Sequence, residues 1–150
     1  MRPVIFLRIA SVLTLIHAAL HTIGGVFGGA AAGAQQAAVT AMKTNEFLAM
    51  GAMRSYWDFY MGMGLTVSVL LAAEGVVFWQ LGSLAKSDGA RLRPVLATFL
   101  VAYLALAVNS YRYFFWGPVI TEILIALCLG LAIAGARQSA TDKVDKRAFA

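Results

Sequence analysis

Charge, cysteine and proline are all scarce in this sequence. Of its 150 residues, 13% are Asp, Glu, Lys or Arg, three are proline and one, Cys128, is cysteine. A single thiol cannot close an intramolecular disulfide, which excludes a disulfide-stapled scaffold. So little charge excludes a disordered chain and falls well short of what covers a soluble domain. No Walker-type phosphate loop, dinucleotide fingerprint, Gly-x-Ser-x-Gly elbow, zincin helix or Cys-x-x-Cys pair occurs, so phosphoryl transfer, hydride transfer, serine hydrolysis and thiol exchange have no support. What the sequence has instead is apolar length. Its hydrophobic residues make up 61% and its mean hydropathy is +0.77, the composition of a membrane protein.

A helix needs about 20 mostly apolar residues to cross a bilayer, and four stretches meet that length: residues 4–27, 59–81, 94–111 and 118–136. The expected architecture is an all-α, integral membrane four-helix bundle forming a single domain over residues 1–150. Pro3, Pro94 and Pro118 stand where helices should begin, because a first-turn residue has no use for the N–H that proline lacks. Glycines 24, 25, 28 and 29 loosen the end of the first span and open the one long connection, residues 28–57. Within it, residues 35–53 have a loosely amphipathic helical spacing that fits a surface helix or an ordered loop. Arg2 and Arg8, the apolar run 9–16 and Ala32-Gly33-Ala34 also fit a secretory signal. Histidines 17 and 21 would be odd in a discarded segment, so the first span is expected to be retained.

Lysine and arginine set the orientation, since positive residues near helix ends stay on the cytoplasmic side. Arg2, Arg8, Lys86, Arg91, Arg93, Arg137, Lys143, Lys146 and Arg147 fall on one side; Lys43, Arg54 and Arg112 fall on the other. Both termini and the basic tail 137–150 are therefore expected in the cytoplasm, most simply that of a bacterium, with the connection 28–57 outside it. Topology and lipid headgroups account for the net charge of +5, and no nucleic-acid partner is expected.

An ionisable side chain in hydrocarbon must pair, face the interior or serve a function. The spans hold few: His17, His21, Asp58, Glu74 and Glu122, with Asn109 near the end of the third. At 1.5 Å per residue, His17 and His21 fall roughly 20–25 Å from the cytoplasmic end of their span. Asp58, Asn109 and Glu122 fall at similar heights, so all five are expected to converge in an outer-half pocket. His17, His21, Asp58 and Glu122 are the expected acid/base groups, and Glu74 is a second acidic position across the midplane. An apolar surrounding favours a carboxyl's neutral form, which suits a general acid, with a neutral imidazole as the returning base. Such a site suits isomerisation, cyclisation or hydration of a hydrophobic small molecule entering from the bilayer, and proton relay uses the same residue types. Glu74 has a structural alternative, a partner on the third span or an approach to Arg91 or Arg93.

His17-x-x-x-His21 places two imidazoles on one helix face, which with a carboxylate would hold a transition metal or, singly, haem iron. That is the alternative reading, a metal- or haem-binding oxidoreductase component; the main reading expects no cofactor. A third possibility is a structural subunit of a larger complex. Arg54, Trp57 and Tyr60, with Asn109, Arg112 and Tyr113, are candidate binding residues at the pocket's mouth. Most simply, Arg54 and Asp58 form an i,i+4 ion pair among aromatic anchors at the membrane interface. Gly62, Gly64, Gly75, Gly130 and Gly135 suggest close helix contacts, and the small chain suggests a homo-oligomer.

With four spans and acids inside the second and fourth, the sequence resembles small bacterial proteins of the DoxX-like kind. In architecture it also resembles EXPERA-type membrane domains, which include sterol isomerases and sterol-binding receptors. That resemblance implies buried acids managing a carbocation, here Glu74 or Glu122 with His17 or His21.

Overall fold

The computed structural model describes residues 3–148, with side chains as far as Ala136. Arg2 and the side chains of the basic tail lie outside the described residues. Helix α1 (Pro3–Leu20) opens on its proline and passes into a π-helical turn, His21–Val26. Helix α2 (Ala34–Thr44) and strands β1 (Glu46–Ala49) and β2 (Ala52–Ser55) fill the long connection. Helix α3 (Tyr56–Asp88), a 3-10 turn (Gly89–Leu92), α4 (Arg93–Tyr113) and α5 (Trp116–Ala148) complete the chain.

Three helical stretches are long and apolar enough to cross a membrane: Pro3–Val26, Tyr56–Tyr113 and Trp116–Ala136. At 58 residues the second would extend about 87 Å if straight, roughly three bilayer cores. It folds back at Gly89–Leu92 instead, since Phe78 meets Phe99 edge-on at 5.0 Å and Glu74 meets Tyr103 at 2.8 Å, as antiparallel neighbours do. Outward faces are as apolar as inward ones, and Val101, Val108 and Leu127 are each more than half exposed. A helix that is hydrophobic all round is at home in lipid.

The chain divides into two compact units. One comprises Met1–His17 and Ala72–Ala150. Its core joins Leu7 and Ala10 of α1, Phe78 and Leu81 of α3, Leu96 and Tyr103 of α4, and Ile125 and Leu129 of α5. Here α1 runs antiparallel to α3: Arg8 bonds Ser83, and Ser11 Oγ donates to the Gly75 carbonyl at 2.6 Å. Pro3 and Ala136 both pack against Gly89, so the start of α1, the α3–α4 turn and Ala136 of α5 share one end of this unit.

The other unit is Ala18–Leu71. Its π-turn closes with Phe27 N–H donating to the Thr22 carbonyl, five residues back, at 3.0 Å. The His21 ring packs beside Gly25, with Nδ1 3.4 Å from where a Cβ would stand, an ordinary contact distance. The connection departs from the expected helix or ordered loop over 35–53. Helix α2 covers only its first part, and an antiparallel hairpin follows, pairing Glu46 with Ser55 and Ala49 with Ala52. Met50 (φ 50°) and Gly51 (φ 91°) make the two-residue turn. Positive φ at both central residues is what a tight hairpin needs, and glycine supplies it without strain at the second. Helix α3 also starts three residues before the expected 59 and runs seven past 81.

Candidate functional site

Two groups of polar side chains in the first unit are built around its glutamates. In one, Tyr103 on α4 is 1% exposed, and its hydroxyl donates to Glu74 Oε2 on α3 at 2.8 Å. The same oxygen lies 3.4 Å from Thr14 Oγ1 on α1, while Thr14 donates to the Ala10 carbonyl at 2.9 Å. Carboxylate, phenol and alcohol therefore stand in line across three helices. Glu74 is half-buried and lies near the middle of α3, 18 residues from Tyr56 and 14 from Asp88, so part of its side chain is open within an apolar helix.

In the second group, Glu122 on α5 is 5% exposed. Its Oε1 accepts from Ser110 Oγ on α4 at 2.9 Å, and its buried Oε2 has no hydrogen-bond partner. A buried carboxyl oxygen without a partner carries a desolvation cost of about 1–3 kcal/mol. Tyr103, Ala107 and Ser110 are all buried, spaced so that one face of α4 carries the partners of both acids.

The sequence-predicted residues distribute unevenly over these groups. Glu74 takes the structural alternative expected for it, a partner on the following span. Asn109 was expected beside Glu122, but it is exposed and the neighbouring Ser110 takes that place. Adjacent helix residues point about 100° apart, so a one-residue difference decides which faces the acid. His17 is half-buried on α1 in this unit. Arg112 and Tyr113 are exposed at the end of α4.

His21, Arg54, Trp57, Asp58 and Tyr60 belong to the other unit. His21 Nε2 lies 3.1 Å from the Gly64 carbonyl, which can only accept, so Nε2 is the donor. Tyr60 donates to the Gly25 carbonyl at 3.1 Å, and the Lys43 ammonium sits 4.6 Å over the Trp57 ring. Asp58 does not pair with Arg54. Its Oδ2 accepts from Ser55 N–H at 2.8 Å and Ser55 Oγ at 3.0 Å, while Ser55 Oγ accepts from Asp58 N–H at 3.2 Å. This reciprocal pair is a capping box at the start of α3, and Arg54 donates to the Met53 carbonyl instead.

Among the described residues, no three His, Cys, Asp or Glu side chains gather as metal ligands. A site on His17 and His21 would need further donors from elsewhere.

Thr14 belongs to the polar stripe that the sequence places on one face of the first span with His17 and His21, whereas Tyr103 and Ser110 were not foreseen. Their one sequence signal is spacing: Tyr103 and Ser110 are seven apart, two turns along one helix face. Comparison with protein-family models, curated protein sequences and solved structures finds no match to this chain.

Proposed function

We propose that this chain crosses a bacterial cytoplasmic membrane four times, with both termini in the cytoplasm. We further propose that it binds, or performs acid/base chemistry on, a hydrophobic small molecule reaching Glu74 from the bilayer. The observation that carries this reading is the half-buried Glu74 carboxyl near the middle of apolar helix α3, bonded to the buried Tyr103 hydroxyl at 2.8 Å, which on a four-span reading puts it deep in the bilayer. An ionisable group at that depth is costly and is a functional candidate by default.

The hydroxyl line supports proton exchange at Glu74. With the carboxyl ionised, Tyr103 donates to Oε2 and Thr14 donates to Ala10. If Glu74 takes a proton on Oε2, that proton is donated to the Tyr103 oxygen, and the phenol hydrogen turns to Thr14 Oγ1, 3.4 Å away. Each state keeps the Glu74–Tyr103 bond, so gain or loss of a proton leaves no group stranded. Glu122 and Ser110 are the enclosed second acidic pair, on the same face of α4.

The test is labelling with dicyclohexylcarbodiimide, a lipid-soluble reagent for carboxyls, in membranes containing the full chain. Expected is modification of Glu74 and not of the enclosed Glu122, read by peptide mass spectrometry. Lipid extracts of the purified protein should also contain a stoichiometric hydrophobic compound that is depleted in Glu74→Gln. An unreactive Glu74, or the same extract from the parent and from Glu74→Gln with unfolding temperature unchanged, sinks the reading in favour of helix locking.

A further inference from the structure

At the end of the first unit shared by Pro3, Gly89 and Ala136, Arg8 has no anionic partner among the described residues. Arg8 lies five residues inside Pro3, about 7.5 Å into the apolar stretch. Its guanidinium stacks on Trp79 with Cζ 3.5 Å from the ring centroid, and Nη2 donates to Ser83 Oγ at 2.8 Å. The side chain lies along α3 because residue 82 is glycine, whose Cβ position is 3.3 Å from Arg8 Nε. Nη1 is enclosed and has no acceptor. Every partner of Arg8 is thus neutral.

Among the described residues, the neighbourhood is short of acid. Asp88 is taken by Arg91 at 2.9 Å, and the Nε of Arg93 is likewise enclosed without an acceptor. Uncompensated guanidinium near the end of a span is expensive unless an anion joins it. The cluster is open on its outer side: Trp79 is 51% exposed, Ser83 is exposed and Arg8 is half-buried. Near the end of an apolar stretch, that side meets lipid headgroups. Of the guanidinium fork Nη1 is enclosed, so Nη2 and the serine hydroxyl, once turned outward, are the donors that suit a phosphate oxygen, and stacking on an aromatic ring holds the fork in place.

We propose that Arg8, Ser83 and Trp79 form a binding site for the phosphate of an anionic phospholipid headgroup. The site is independent of the chemistry proposed for Glu74.

The full chain carrying Trp57→Phe and Trp116→Phe leaves Trp79 as the single tryptophan reporter. Titration in detergent micelles with phosphatidylglycerol should give a saturable change in Trp79 emission, with one lipid retained per chain in native mass spectrometry. Phosphatidylcholine should bind about fivefold or more weakly, as loss of one basic contact at an anionic surface implies. Arg8→Gln should abolish the preference, and Arg8→Lys, which keeps charge without the fork, should restore it in part. Equal response to the two lipids in the parent overturns the proposal, whether or not Arg8→Gln folds. So does an undiminished preference in a helical Arg8→Gln. An equal emission change with inorganic phosphate alone would overturn the lipid assignment and give the site to a soluble phosphate compound.

Discussion

Gly75 and Gly62 sit thirteen residues apart on α3 and answer differently to the same added methyl group. A Cβ on Gly75 would lie 2.7 Å from both Cγ and Cδ2 of Leu15 and 3.4 Å from the Ser11 carbonyl, where no atom fits without movement. Around Gly62 nothing lies within 4 Å. Alanine is the better helix former by up to about 1 kcal/mol, so Gly62→Ala should leave stability unchanged or raise it. Gly75→Ala should lower it by about 1 kcal/mol net, since overpacking costs roughly 1–3 kcal/mol. Thermal unfolding in detergent compares the two, and equal effects would mean that α1 and α3 are not in close contact at Gly75. The same contrast explains what single residues disclose. Glycine, glutamate and histidine stand out in an apolar run, so Glu74 and Glu122 were legible as buried acids. Their partners Tyr103 and Ser110 were not, because a membrane helix satisfies most hydroxyls on its own backbone, as Thr66 does on the Gly62 carbonyl and Thr98 on the Pro94 carbonyl. Which hydroxyl instead reaches a neighbour is set by helix rotation.

At the scale of elements, the start of α3 shows two local devices competing for one carboxylate. Arg54 and Asp58 are four apart, a spacing that suits an ion pair, whereas Ser55-Tyr56-Trp57-Asp58 has the spacing of a capping box. The box wins because residue 54 still belongs to β2 and the helix begins at Tyr56, so no helical turn brings the guanidinium over Asp58. Ser55→Ala and Asp58→Ala should each cost about 0.5–2 kcal/mol and speed amide exchange in the first turn of α3. Arg54→Ala should stay within about 0.5 kcal/mol of the parent. A larger loss from Arg54→Ala than from Ser55→Ala would restore the ion pair as the working contact. Long elements were legible in the sequence because an apolar run has few other places to go. The hairpin was not, because Glu46-Phe47-Leu48-Ala49 carries no strict alternation and Met50-Gly51 is a weak turn signal. Its anchor is tertiary: Phe47 lies 4.9 Å from the Tyr56 ring and 5.6 Å from that of Phe59, on the helix that follows.

For the molecule as a whole, charge and packing point to the same sidedness. Pro3, Gly89 and Ala136 meet at one end of their unit, and Arg8, Lys86, Arg91 and Arg93 lie close to Pro3 or Gly89 in the chain. The connection between α1 and α3 carries only Lys43 and Arg54. Positive residues are retained on the cytoplasmic side, so the α3–α4 turn should face the cytoplasm and α2 the opposite compartment. Exposed alanines mark both places without disturbing a contact: Ala38 on α2 and Ala90 in the turn. In a Cys128→Ala background, Ala38→Cys should react with a membrane-impermeant maleimide in intact bacterial cells. Ala90→Cys should react only after the membrane is opened. The reverse pattern would invert the molecule, and labelling of both in intact cells would show that α3, which lies between them, does not cross. Either result would also move Arg8 to a different leaflet or out of the bilayer. This experiment therefore fixes which lipid surface Arg8 and Trp79 face and from which side protons reach Glu74.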